Sequence, residues 1–294
     1  MPKHTLPFSK ISSKDVLKAG GKGASLGEMA RAKISVPPGF VVLAQSYQDF
    51  VKANNLEMEI LSQLKNVNPD DTNSVDRASN VIRDVIHDTP MPKDLEKELL
   101  AEFTRLKSPY VAVRSSATAE DSDVASWAGE LDTFLYVTKD KLLDAVKECW
   151  MSLFTPRAIV YRFEKNLHDA DVHVAVVVQK MVNSEIAGVC FTVHPVTKDP
   201  NQMVIEAAYG LGEALVSGMV TPDTYVVDKE DDLLLDVNIG EQQQMILQNT
   251  KAKGVQKTIT KAVPVAERAN SRAISNGRAK KENSTSSSPA RSRR

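Results

Sequence analysis

The chain has 294 residues, 42% hydrophobic and 26% charged, with a formal net charge of −1. That length supports a substantial core, in one large domain or two ordinary ones, and the composition excludes a wholly disordered chain. Near-neutrality argues against a dedicated nucleic-acid or membrane-surface binder, which needs a basic face.

The N-terminus, Met1-Pro-Lys-His-Thr-Leu-Pro7, carries no apolar signal-peptide core. The capping-box spacing of Ser25 and Glu28 predicts a short helix over Ala24 to Ala32. Pro37-Pro38-Gly39 stops it and feeds a strand from Phe40 to Leu43. Helical patterns follow over Ser46 to Lys65, broken near Asn54-Asn55, then Ser74 to His87 and Pro92 to Leu106. In the last of these, Leu95, Leu99, Leu100, Phe103 and Leu106 share one face, so it packs on a core.

Tyr110 to Val113 reads as a short strand running into a polar loop, and Thr133 to Val137 as another strand. Helices are expected over Lys139 to Phe154 and Pro156 to Leu167. The second half turns to strands: Val172–Gln179, Ile186–Val193, Gln202–Ala207, Thr224–Asp228 and Leu233–Asn238. No apolar run is longer than Val174 to Val178, far short of the ~20 residues of a membrane span, which points to a cytoplasmic protein. Helices first and strands later imply an α+β fold rather than regular βαβ winding. Cys149 and Cys190 show no metal-ligand spacing and read as buried, reduced thiols. Residues 265–294 hold eight Lys/Arg and two Asp/Glu, against 29 and 36 in the preceding residues, and lack Leu, Phe, Trp and Tyr. This stretch reads as a basic, disordered tail. It could draw an acidic partner only weakly, because it has no aromatic residue for base stacking.

Three segments carry more glycine, hydroxyl and charge than packing requires. Ala19-Gly-Gly-Lys-Gly-Ala-Ser-Leu-Gly-Glu28 combines close backbone amides, a helix start and Lys22, all suited to a phosphate. It is neither a Walker A loop nor GxGxxG, so a glycine-rich turn with a solvated Lys22 stands beside the phosphate reading. Val111-Ala-Val-Arg-Ser-Ser-Ala-Thr-Ala-Glu-Asp-Ser122 delivers Arg114, Ser115, Ser116 and Thr118, a cation with several hydroxyl donors for a polyphosphate. The alternative is a Ser/Thr-capped surface loop with Arg114 paired to Glu120 or Asp121. Glu206-Ala-Ala-Tyr-Gly-Leu-Gly-Glu213 is either a ligand-facing loop or a bare strand-to-helix turn. The five histidines fall at no metal spacing and beside no candidate nucleophile; His194, before Pro195, reads as a loop histidine bonded to backbone.

In order, several motifs resemble the N-terminal nucleotide-binding domain of the phosphoenolpyruvate synthase and pyruvate, phosphate dikinase family, which rifampicin phosphotransferases share. They are Gly20-Gly-Lys-Gly-Ala-Ser-Leu-Gly-Glu-Met29, Val36-Pro-Pro-Gly-Phe-Val-Val42, Val113-Arg-Ser-Ser-Ala-Thr-Ala-Glu-Asp-Ser122 and Cys149-Trp-Met-Ser-Leu-Phe-Thr-Pro-Arg-Ala158. Gln179-Lys-Met-Val182, Ala187-Gly-Val-Cys-Phe-Thr192, Gly210-Leu-Gly-Glu213 and Pro222-Asp-Thr-Tyr225 complete the set, which covers roughly residues 8–260.

The resemblance implies an ATP-grasp fold whose two subdomains, residues 1–185 with a helical insert and 186–264, hold ATP between them. It also implies that Lys22 and Arg114 contact the phosphates and carry catalysis, that Gly129 and Thr133 belong to a phosphate-side loop, and that Gln179 lies at the nucleotide pocket. Trp127 and Glu130 stand where the family more often has Phe and Gln. The family's Mg²⁺-holding Glu and Gln and its later Arg have no counterpart found here, so the metal ligands are unknown. The function implied is an ATP-binding domain that passes phosphoryl from Mg·ATP to a histidine on a separate domain, a partner in trans. The missing ligands and the abrupt change near Ala269 equally suit a truncated, non-catalytic remnant that binds nucleotide at most. The ATP domain of a rifampicin phosphotransferase-like enzyme is a further alternative.

Overall fold

A computed structural model describes residues 4–118, 132–165, 173–249 and 258–262. They fall into two compact units, the first within Met1–Val182 and the second from Asn183 onward.

The first unit is built on an antiparallel sheet of five strands in the order β1-β2-β5-β3-β4. The strands are β1 (Thr5–Pro7), β2 (Gly39–Val42), β3 (Val111–Ala117), β4 (Thr133–Val137) and β5 (Val174–Lys180). Alternation along them separates two faces. Phe40, Val42, Val113, Val174, Val176 and Val178 point into the larger core. Six helices contribute to that core: α2 (Ala44–Ala53), α3 (Glu57–Lys65), α4 (Thr72–Asp88), α5 (Lys93–Arg105), α6 (Leu142–Met151) and α7 (Pro156–Glu164). At its centre Trp150 lies 5.0 Å from the Phe50 ring and 5.7 Å from the Tyr47 ring, all three buried. Leu95, Leu99 and Phe103 of α5 are buried, and Leu100 and Leu106 pack partly against them, on the face the sequence periodicity picks out.

The opposite face is covered by one helix, α1 (Val16–Arg31), in a smaller cluster with Ala175 and Val177 of β5 and Val41 of β2. This helix departs from the sequence expectation of a start near Ala24. It begins at Val16, after a short turn opened by Ser12, whose amide donates to Asp15 Oδ2 at 3.0 Å, and Glu28 accepts from the Ser13 amide instead of capping near Ser25. The Ser12 hydroxyl, which donates to the same Oδ2 at 2.8 Å, and then the Ser12 amide hold Asp15 below its ordinary value, and the Ser13 amide does the same for Glu28. Glycine disfavours helix in isolation, but contact with the sheet overrides that preference here. The second sequence-level difference is β3, which continues through Arg114-Ser-Ser-Ala117 because β5 pairs with it along its whole length.

The second unit is a four-stranded antiparallel sheet, β6 (Ile186–Phe191), β7 (Gln202–Tyr209), β8 (Asp223–Asp228) and β9 (Leu234–Asn238), in that order. A short helix α8 (Glu213–Val216) follows β7, and a hairpin pairs β10 (Gln244–Gln248) with β11 (Thr258–Ala262). β1, β10 and β11 are elements that the hydrophobic pattern does not reveal. The α+β expectation agrees with these antiparallel sheets and their helices. Residues 263–294, including the tail expected to be disordered, lie outside the described residues. No helix among the described residues is long and apolar enough to cross a membrane.

One thiol corrects the sequence reading. Cys149 is buried, but Cys190 is exposed, because both faces of β6 carry residues open to solvent. Burial pushes the Cys149 thiol well up, helped by the charges of Asp132 and Glu148. A colorimetric thiol assay at pH 8 should therefore find one fast-reacting cysteine per native chain and two in denaturant; Cys149→Ser should leave the native count unchanged and Cys190→Ser should abolish it.

Candidate functional site

Four of the five implied site residues belong to one side of the five-stranded sheet. Val177 of β5 stands opposite Arg114 of β3, and Arg114 opposite Thr133 of β4. Gln179, two residues along β5 from Val177, shares their face. Lys22 lies on α1, the helix that covers that face. Gly129, with Trp127 and Glu130, lies outside the described residues, as do Glu120 and Asp121.

Thr133 reaches this face through a bulge. Val111 pairs with Val137 but Val113 with Phe134, so Leu135 and Tyr136 together oppose Ala112. Without the extra residue Thr133 would oppose Ser115 and turn toward the larger core, since a one-residue slip reverses every side chain. Tyr136 takes a φ of 55° at the bulge, where it is buried with its ring edge-on to Tyr110 at 5.6 Å. Thr133 is exposed at the start of an edge strand, while Arg114 is half-buried in β3.

Lys22 follows a break inside α1. Gly20 has φ 68° and ψ 170°, which ends one helical segment and lets a second begin. A Cβ at Gly20 would meet Ser116 Oγ at 2.2 Å and the Ser116 carbonyl oxygen at 2.3 Å, so only glycine fits both the backbone and the space. Gly27 has a similar role further along, where a Cβ would lie 2.7 Å from Ile11. Lys22 is half-buried, and its charge reaches the Cys149 thiol, where it opposes the rise caused by burial.

The hydroxyls expected to serve a ligand are engaged with backbone instead. Ser115 Oγ donates to Asp132 O at 3.0 Å, Ser116 Oγ to Ala19 O at 3.2 Å and Thr118 Oγ1 to His173 O at 3.1 Å. The polar loop read from the sequence is thus a strand whose hydroxyls tie it to β4, α1 and the chain entering β5. Gln179 is nearly buried, and its Nε2 donates to Pro37 O at 3.0 Å, which pins the loop ahead of Gly39. This side of the sheet carries two cations, Lys22 two residues past the break in α1 and Arg114 on β3, with one exposed hydroxyl, Thr133, opposite Arg114. That set suits an anion with several charged oxygens.

In the second unit the third glycine segment is a strand-to-helix turn. Gly210 takes φ 80°, its amide donates to Glu185 O at 2.7 Å, and a Cβ there would lie 2.4 Å from Ile246 O. His194 Nδ1 accepts from the amides of Val196 and Thr197 at 3.2 and 3.3 Å, the backbone role expected of it. No group of three or more His, Cys, Asp or Glu among the described residues is arranged to hold a metal ion.

The family model described as pyruvate phosphate dikinase, AMP/ATP-binding domain, matches residues 16–285. The chain belongs to this family. The match runs past residue 260, the limit that the motifs alone indicate, into the basic tail. The chain is 45% identical over 284 residues to a probable phosphoenolpyruvate synthase of Methanothermobacter thermautotrophicus, covering 94% of this chain and 40% of that protein. A probable phosphoenolpyruvate synthase of Archaeoglobus fulgidus is 46% identical over 274 residues, covering 91% of this chain and 36% of its own length. The phosphoenolpyruvate synthase of Pyrococcus furiosus is 38% identical over 281 residues, with coverages of 82% and 34%. The chain therefore spans two fifths or less of the length of these relatives.

The close seating at Gly20 has a measurable consequence. Gly20→Ala should lower the unfolding free energy by at least about 2 kcal/mol in urea titration, from the left-handed backbone and the overlap with Ser116. Ser25→Ala, exposed on the same helix, should change it by less than about 0.5 kcal/mol.

Proposed function

We propose that this chain is the nucleotide-binding, ATP-grasp part of a phosphoenolpyruvate synthase-like phosphotransferase. It binds Mg·ATP, with Lys22 and Arg114 on the phosphate oxygens, and supplies phosphoryl to a histidine carried on another domain. The observation that carries this reading is the placement of Lys22, Arg114 and Thr133 on one side of one sheet, in a chain of the AMP/ATP-binding family.

The chemistry follows from charge. Phosphoryl transfer spreads negative charge over the equatorial oxygens, and catalysis is mostly positioning with electrostatic stabilisation. Arg114 supplies a planar fork that can take two oxygens of a phosphate at once, and Lys22 a point charge from the neighbouring helix. Gln179 acts one step back by fixing the loop at Pro37, and the Thr133 hydroxyl supplies a neutral donor at the rim. Mg²⁺ enters as the counter-ion of the nucleotide substrate. Gly129 belongs to the same reading through its motif.

Isothermal titration of Mg·ATP into the full chain tests this. Lys22→Ala and Arg114→Ala should each weaken binding by about 10- to 100-fold, as expected for loss of a hydrogen bond to a charged group. Absence of binding by the parent at millimolar nucleotide, or variants that bind as well as the parent, would refute the proposal. Transfer is read separately, as label moving from ATP to the histidine domain of a full-length relative.

A further inference from the structure

One side chain joins the two elements that bear the cations. Ser116 has no exposed surface and stands on the same face of β3 as Arg114, two residues and about 6.6 Å along the strand. Its Oγ donates to Ala19 O at 3.2 Å, the last carbonyl before the break at Gly20. The same oxygen accepts from the Gly23 amide at 3.4 Å, one residue beyond Lys22. A single hydroxyl thus bridges the interruption, serving a carbonyl on one side and an amide on the other. Both groups lose their helical partners when Gly20 leaves the helical region.

The hydroxyls beside it are placed differently. Ser115 bonds the chain entering β4 and Thr118 the chain entering β5. Neither touches α1 through these bonds, so among the three hydroxyls only Ser116 links the strand of Arg114 to the helix of Lys22.

We propose that Ser116 is a positioning residue for the nucleotide site: it bolts the break in α1 to β3 and so fixes the spacing between Lys22 and Arg114. The two cations repel one another, and each rides on a long, flexible side chain with considerable rotamer entropy. A polyphosphate gains most when both backbones are already held at the separation its oxygens require. Without the hydroxyl, the first turn of the second helical segment loses its Ser116 hydrogen bond to the strand and keeps its close packing of Gly23 against Val41. Ser116 acts through Lys22 and contacts no part of the nucleotide. The proposal rests on the reading that Lys22 and Arg114 hold the phosphates of ATP.

The test compares the full parent chain with Ser116→Ala and, as a control, Ser115→Ala. Dissociation constants for Mg·ATP and for adenosine are measured by calorimetry, and amide hydrogen exchange is followed over residues 19–23. Partial unfolding weakens both ligands by the same factor, so the ratio of the two constants isolates positioning from stability. Ser116→Ala should raise the ATP constant about tenfold, leave adenosine within twofold and speed exchange at Gly21 to Gly23, whereas Ser115→Ala should leave the ratio unchanged. An unchanged ratio in Ser116→Ala, with the parent binding ATP normally, overturns the proposal and leaves the site reading intact. A Ser116→Ala chain too unstable to bind either ligand makes Ser116 a folding residue and also overturns it. Failure of the parent itself to bind ATP refutes the underlying site reading and the proposal with it.

Discussion

A helix can approach a sheet only as closely as the side chains between them allow, and α1 lies closer to its sheet than any Cβ at Gly20 would permit. The geometry on this face of the first unit follows from that contact. Close approach is possible because α1 presents glycine at the points of contact, and the break at Gly20 lets the chain change direction against β3. The same break creates unpaired backbone groups that need partners in a buried setting, and Ser116 provides them. Packing and site geometry are therefore one problem here. The residue that allows the approach, the residue that stabilises it and the cation that follows it are Gly20, Ser116 and Lys22.

The sheet solves a second problem at its other end. A strand buried on both faces has little room for a polar ligand, and β5 is of that kind, with six consecutive residues buried from Val174 to Gln179. β4 sits at the edge, where the bulge at Leu135 and Tyr136 turns Thr133 to the side of Arg114. One extra residue is enough because strand side chains alternate with a period of two. The edge strand can accept the distortion, since its outer side has no neighbour whose register would be disturbed.

Much of this was legible in the amino acids. The helical patterns over 46–65, 74–87 and 92–106 and the strand at 133–137 correspond to α2 through α5 and β4, because periodic apolar residues report a buried face directly. Lys22 and Arg114 stood out as cations among small residues, and they do lie on one side of one sheet. What composition and spacing could not convey were consequences of pairing. Nothing local marks the bulge, whose cause is the register against β3. Ser115, Ser116 and Thr118 read as ligand donors because a hydroxyl looks the same whether it faces a phosphate or a backbone carbonyl. β1 is three residues long and was invisible to periodicity, yet its backbone and the Ser46 hydroxyl bond near His4, anchoring it beside β2. The break at Gly20 was not among the sequence expectations, and the overlap with Ser116 supplies the reason that glycine is required there.

Charge explains why such local precision matters in this chain. Residues before 265 carry 29 basic and 36 acidic side chains, so the body is acidic while a nucleotide triphosphate is itself strongly anionic. Beyond about 8 Å that repulsion is screened at physiological salt, and it gives no help in drawing the nucleotide in. In the proposed site, affinity for the nucleotide comes from short-range contacts, where a partly desolvated cation acts in a lower effective dielectric than bulk water. Short-range terms are also the ones most sensitive to small displacements. On the proposed reading, half-burial of Lys22 and Arg114 raises the value of each phosphate contact and, in the same measure, the penalty for holding either cation out of place. A site of this kind depends more on a rigid frame than on additional positive charge, and the hydroxyl of Ser116 is where strand and helix share that frame.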